Sequence, residues 1–208
     1  MKHNDTYFSM NETLKTIRER RSIRVFAKDE ISEEQVSILL QAANQAPSAH
    51  NQQSWRFIVL RGEKKHGLAE LVAHGAMQFP KPAQALLRMS ARSIASAPVV
   101  IAVANTGDLI QHGTDLFKVE KQMAHDFFRT MEIQSSAAAV ENLLLAATSL
   151  GLATVWLGIM FLMKDDVLNY IGEPAGEFMA VVPVGYACRE AGSGPKKQPL
   201  EVKVKYLH

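Results

Sequence analysis

The sequence predicts one soluble domain of mixed helix and strand, or one such domain with a small excursion. Three observations carry this. The chain has 208 residues, 47% of them hydrophobic, which is enough for a sizeable core. Segments with apolar residues at helical spacing alternate with short, valine-rich runs of strand length. No internal repeat, low-complexity tract or flexible linker divides the chain.

Composition excludes several classes. The net charge of +2, from 23 cations and 21 anions, is too small to argue for nucleic acid. Cys188 is the only cysteine, so no intrachain disulfide forms and no Cys/His metal pattern exists. The first residues lack the apolar core of a secretory signal, and no apolar run of membrane-spanning length is free of charges. The expectation is a cytoplasmic protein that binds neither membrane nor nucleic acid.

The first element is a short helix opened by Ser9-Met10-Asn11-Glu12, which reads as a capping box, with Leu14 and Ile17 on its apolar face. It closes in Arg18-Glu19-Arg20-Arg21-Ser22-Ile23-Arg24. Guanidinium forks match phosphate oxygens two at a time, so four of them and a hydroxyl suit a dianion. The competing reading is that cations at a helix C-terminus offset the macrodipole. Ser32-Glu33-Glu34-Gln35 is a second capping box; Val36, Leu39, Leu40 and Ala43 follow at helical spacing, and Pro47 stops that helix. Residues 47–54 are small and polar. Trp55 to Leu60 reads as a buried strand.

A helix follows over 63–76. Pro80 and Pro82 break the pattern, and 83–95 is helical again, carrying Arg88 and Arg92. Residues 97–104 read as a central strand. Residues 105–125 are the least regular part, and a long connection of this kind suggests a lid or insert, at about 105–128. Ser135 to Leu150 is apolar nearly all round and is predicted to be a buried helix, in the core or a subunit interface, ended by Gly151. Residues 155–158 read as a strand, Met163 to Ile171 as a helix and 178–186 as a strand. From Leu200 to Tyr206 apolar residues fall on even numbers, the pattern of a half-buried strand. Such a terminal strand needs a sheet edge, and a partner's edge in a dimer would serve.

The usual catalytic motifs are absent. There is no GxSxG elbow, no Walker A loop and no GxGxxG after a strand, and Asp165 and Asp166 point apart on their helix. Either a cofactor carries the chemistry or there is none. Flavin mononucleotide fits the residues present. Arg20, Arg21 and Ser22 suit its phosphate; Arg24 or Arg92 could supply a cation near N1 and O2; Asn51, Gln52 and Gln53 suit the ring edge; Pro47, Ser48 and Ala49 let backbone approach a flat ring. Asn51 could equally serve only to cap its turn, and Trp55 and Trp156 suit the core.

The pattern Arg20-Arg21-Ser22-x-Arg24-x-Phe26, then Ala46-Pro47-Ser48-Ala49-x-Asn51-x-Gln53-x-Trp55-x-Phe57, resembles the nitroreductase family of FMN-dependent oxidoreductases. Residues 137–147 with 151–158 are similar to its central helix and following strand, and 183–186 with 197–201 to its ending. The blocks lie in order over about residues 14–202. The resemblance implies an α+β sandwich around a mostly antiparallel sheet, in a single domain over 1–208 with a C-terminal arm at about 195–208. It implies an intertwined homodimer with FMN at the interface. Arg20, Arg21, Ser22 and Arg24 would come from one subunit, and Pro47, Ser48, Ala49 and Asn51 from the other. Backbone around Trp156, Leu157 and Gly158 would lie over the ring. Lys197 stands where the family usually has an arginine, and Pro195 where it often has a lysine.

The implied activity is ping-pong hydride transfer from NAD(P)H, through flavin, to a small electron acceptor such as a nitroaromatic or quinone. The stretch from Asn105 to Arg129 would choose the acceptor. There Phe117, Phe127 and Phe128 either lid the flavin or pack between helices. The same fold also hosts dehalogenation, flavin reduction or fragmentation, and azoline oxidation. A third reading, from another class, is a non-catalytic module whose basic segment binds nucleic acid or an acidic partner.

Overall fold

The seven residues of one strand, Val99–Asn105 (β2), are all buried. A strand covered on both faces belongs in the middle of a sheet with layers above and below it. The computed structural model, which describes residues 11–117, 120–189, 192, 194 and 196–207, has this arrangement. Its four strands are β1 (Trp55–Leu60), β2, β3 (Ala153–Thr154) and β4 (Glu177–Gly185), in the order β1-β2-β4-β3 with every pairing antiparallel.

Side-chain alternation along β2 builds two cores. Val100, Ala102 and Ala104 point to the layer made by α3 (Gly62–Gly75) and α4 (Lys81–Ser96). Val99, Ile101 and Val103 point to the layer made by α2 (Glu33–Asn44) and α6 (Lys121–Ser149). The result is the expected α+β sandwich around an antiparallel sheet. The other helices are α1 (Glu12–Glu19), α5 (Asp108–Leu116) and α7 (Lys164–Ile171).

Most elements stand where the pattern put them. The capping box at Ser32 is formed by both reciprocal bonds with Gln35. Trp55 is buried, and its indole donates to Asn44 Oδ1 at 2.9 Å. The cap of α1 is Asn11, whose Oδ1 accepts from the N–H groups of Thr13 and Leu14; the expected cap Ser9 lies outside the described residues. Pro82 does not break α4 but sits in its first turn, where a missing N–H costs nothing.

Three expectations are corrected. The strand expected over 155–158 is only Ala153–Thr154. In the β3–β4 register the next residue, Val155, would face Pro183, which has no N–H to donate. The chain rejoins β4 once, through Leu157 N–H to Val181 O at 2.9 Å, and then coils into a 3₁₀ helix, Gly158–Met163. The irregular stretch 105–125 is largely helical: Gly107, at φ +82°, precedes α5, and α6 begins at Lys121 with Glu120 accepting from the N–H groups of Gln122 and Met123. The tail forms no strand with its own chain. It makes one 3₁₀ turn, Leu200–Val202, and leaves Val202 69% and Tyr206 77% exposed.

Candidate functional site

The arginine segment leaves α1 at its C-cap, Arg20, and runs beside β3. Ser22 bridges Thr154 in parallel, and the Ile23 N–H donates to Thr154 O at 2.9 Å. Ile23 packs into the α3/α4 core, which turns Ser22 and Arg24 outward. This one pairing lays residues 20–24 alongside the chain that continues into Trp156, Leu157 and Gly158. Of these, Leu157 is buried, Trp156 packs on the α2/α6 core and Gly158 is exposed.

The arginines divide between structure and surface. Arg21 Nη1 donates to the carbonyls of Arg18 and Arg20, at 2.6 and 2.9 Å, so part of its fork serves the C-terminus of α1. Arg20 lies 3.8 Å from Glu141 Oε1 of α6, in a pair that remains partly open to solvent. Arg24 is exposed, with a long 3.4 Å bond to Ser22 O. Gly194, at φ +72°, lies against Arg21: a Cβ there would come 3.0 Å from Arg21 Nε. The C-terminal loop therefore returns over this segment just before the exposed Lys197.

The second predicted segment is a tight, strained turn. His50, Asn51 and Gln53 all have φ near +55°, a conformation L residues avoid. Local bonds hold it. Ser48 Oγ accepts from the Gln53 N–H at 3.1 Å, Asn51 Oδ1 accepts from Gln53 Nε2 at 3.1 Å, and the Ala49 N–H donates to Ser135 Oγ of α6 at 3.2 Å. Pro47 and Asn51 are exposed.

Both segments thus anchor on α6, at Glu141 and Ser135. Six residues of helix put those anchors about 9 Å apart along the axis and about 120° apart around it. Within one chain the arginines and the turn face different sides of α6. Arg92 is elsewhere. It lines a cleft of about 450 Å³ between α3 and α4, floored by alanines, across the sheet from α6.

Sequence reasoning missed a buried polar cluster beside the turn. Glu132, Asn105, Ser136 and Ser54 are each at most 3% exposed. Glu132 Oε1 accepts from the Leu109 N–H at 2.8 Å, and Ser136 Oγ donates to Asn105 Oδ1. Burial pushes the Glu132 carboxyl above its ordinary range, against the opposing pull of the Leu109 N–H and of Ser54, whose hydroxyl faces it without closing a good hydrogen bond. The available signal was Glu132, Ser135 and Ser136 recurring at helical spacing into an apolar helix. Next to this cluster Phe117, Phe127 and Phe128 form edge-to-face and tilted contacts 5.0–6.2 Å apart. Phe128 is buried, and its ring lies 6.4 Å from His50 of the turn. Phe117 and Phe127 are exposed.

Among the described residues no group of His, Cys, Asp or Glu is placed to hold a metal ion, and no helix is long and apolar enough to cross a membrane. The model of the nitroreductase family matches residues 17–186, from the arginine segment through the end of β4. The chain belongs to the nitroreductase family. A protein of Archaeoglobus fulgidus named "Putative NADH dehydrogenase/NAD(P)H nitroreductase" is 34% identical over 183 residues, 85% of this chain and 86% of that one. A 5,6-dimethylbenzimidazole synthase of Rhodospirillum rubrum is 29% identical, over 82% of this nitroreductase chain and 80% of the relative. Among solved structures, a nitroreductase with bound FMN from Desulfitobacterium hafniense superposes with a TM-score of 0.71 at 26% identity, over 96% of this chain and all of that one.

Proposed function

We propose that this nitroreductase-family chain is an FMN-dependent NAD(P)H oxidoreductase that works as a homodimer on small flat acceptors, nitroaromatics and quinones among them. The observation that carries the reading is the Ser22–Thr154 pairing, which lays residues 20–24 alongside the chain that continues into Trp156, Leu157 and Gly158. A dianionic phosphate with a flat ring attached suits that donor set. Arg20 and Ser22 are the phosphate ligands from one subunit, with Lys197 as a further cation. Arg24 is the cation for the ring edge, and Trp156, Leu157 and Gly158 line one side of the ring. Pro47, Ser48, Ala49 and Asn51 approach from the partner, since within a chain they sit on another side of α6 from Arg20. Arg92, in a separate cleft lined only by α3 and α4, is left out of the site, and Arg21 is partly committed to the end of α1.

Bound FMN supplies hydride acceptance from NAD(P)H and electron delivery to the acceptor, in two half-reactions that share one place. The chain's residues contribute position and charge: a fixed cation at the ring edge favours electron uptake, and the rigid, strained turn keeps backbone close to a planar surface. The lone cysteine suits a reducing, cytoplasmic setting.

FMN titration of flavin-free protein, with light scattering on the saturated sample, tests this. One FMN per chain in a dimer is expected; a chain that takes up no FMN, or stays monomeric when saturated, refutes it. The similarity to a dimethylbenzimidazole synthase favours a second reading, in which the flavin serves a fragmentation chemistry. No turnover of any nitroaromatic or quinone with NADH or NADPH by an FMN-loaded dimer would select it.

A further inference from the structure

The α5 hairpin has a core of its own. Leu109, Ala124 and Phe128 form a small buried cluster separate from the two that sandwich the sheet. A helix held by a satellite core opens at lower free energy than elements in the main cores. Specific contacts help to fix it, and two stand out among the described residues. Gly113 admits the Phe128 ring, which would lie 2.4 Å from a Cβ at that position. At the other end, the buried Glu132 carboxyl takes the Leu109 N–H, an otherwise orphaned donor in the first turn of α5. Glu132 is well placed for this. Three residues on, Ser135 holds the strained turn through Ala49, and four on, Ser136 holds Asn105 at the end of β2. One stretch of α6 therefore sets α5, the turn and the sheet in fixed relation.

We propose that Glu132 is a positioning residue for the reaction. Its reach to Leu109 seats α5, and with it Phe117, against Phe127 and Phe128 of α6 beside the 47–53 turn, and so decides which acceptors fit there. This rests on the oxidoreductase reading for its link to acceptors; the seating of α5 stands without it. What matters is the distance the side chain spans, since an amide oxygen accepts from the Leu109 N–H as a carboxylate does. A carboxylate one methylene shorter cannot reach.

Two variants separate reach from charge. Glu132→Gln keeps the reach and loses the charge; Glu132→Asp keeps the charge and loses the reach. Hydrogen exchange on flavin-free protein reads the seat directly. In Glu132→Asp, the amides of Leu109–Leu116 should exchange about tenfold faster or more, with β2 and α2 unchanged, while Glu132→Gln stays within about twofold of the parent. On FMN-loaded protein, Glu132→Asp should change the KM ratio between a small quinone and a bulkier nitroaromatic by about threefold or more, on the same reasoning. Its FMN affinity and its rate of flavin reduction by NAD(P)H should be unaltered, and Glu132→Gln should restore the parent ratio. Normal α5 exchange in Glu132→Asp, or faster α5 exchange in Glu132→Gln, overturns the seat. Faster exchange with an unchanged acceptor ratio overturns its role in acceptor choice. Failure of the parent to bind FMN would strike the functional reading, while the exchange data would still decide the seat.

Discussion

Replacing Arg20 with alanine should weaken FMN binding far more than replacing Arg92, and the structure sets the scale for each. A hydrogen bond to a charged group contributes about 1.5–3 kcal/mol. Arg20 is not free to give all of that, because it lies 3.8 Å from Glu141. The pair is partly solvated, so its own worth is about 0.2–1 kcal/mol. A phosphate competing with Glu141 then gains about 0.5–2.8 kcal/mol net from Arg20, or roughly 2- to 100-fold in Kd. The same reasoning makes Glu141→Gln a strengthening change of up to about fivefold, since it releases the guanidinium. Arg92 lines a separate cleft between α3 and α4, and at 0.1 M salt the field of a charge outside the site is screened within about 10 Å. Arg92→Ala should stay within about twofold of the parent, on the same screening argument. Flavin fluorescence titrations at fixed ionic strength give the constants, and circular dichroism confirms that each variant folds. An Arg20→Ala protein that binds FMN as the parent does, or an Arg92→Ala protein that loses as much as Arg20→Ala, would refute the placement of the phosphate beside residues 20–24.

Ser22→Ala removes a neutral donor and should weaken FMN binding by about 0.5–1.5 kcal/mol, measured in the same titration; a larger loss than that of Arg20→Ala would reverse their order of importance. Glu132→Gln should stabilise the protein at alkaline and neutral pH and lose that advantage on acidification. The sign follows from the raised native carboxyl: the unfolded chain ionises first as pH rises, so the folded state is progressively disfavoured until the native group ionises too. Urea melts of parent and variant at a series of pH values check it, and an advantage that grows toward acid would contradict it. Leu39, with no exposed surface in the α2/α6 core, should cost about 2–5 kcal/mol when cut to alanine, read as a shift of the urea midpoint.

What could be read from the residues alone was what depends on neighbours in sequence. The Ser32 capping box, the strand from Trp55 and the stop before Pro47 are local decisions, and all are present, but the strand expected to be buried is an edge strand covered fully only at Trp55 and Leu60. Partners distant in sequence had to be supplied by the fold. Residues 155–158 have the composition of a strand, yet the ladder stops because Pro183, far along the chain, falls opposite Val155. The first half of α6 has only a short apolar stripe, Ala124, Phe128 and Met131, set among polar residues, so its helical periodicity was weak. The Arg20–Arg24 segment was legible as a cationic cluster. Which fork caps α1 and which faces outward was not, because Arg18, Arg20 and Thr154 decide it through their carbonyls. Glu132 was invisible for the same reason: a glutamate on a helix is ordinarily solvated, and only the return of α5 buries it.

The tail poses the sharpest conflict between pattern and fold, and it bears on the homodimer. Residues 200–206 alternate as a half-buried strand should, yet Leu200, Val202 and Tyr206 are more than two-thirds exposed. Alternation has no use on a segment outside any sheet, and this one joins none of the described strands. α1 raises the same issue: it buries none of its residues, and Leu14 and Ile17 are 37% and 45% exposed. Several apolar side chains at regular spacing on two separate elements are more than scattered surface hydrophobics. The segment between α1 and the sheet carries the phosphate-binding residues in our reading, and the turn that complements them faces away on α6. A second copy would cover the apolar surfaces and complete the site together. The two then cannot be separated by mutation: Leu14→Asn with Ile17→Asn, neither of them a proposed flavin contact and neither adding charge, should yield a folded monomer that has also lost most of its affinity for FMN. A monomer of that kind that kept parental FMN affinity would place the whole site within one chain.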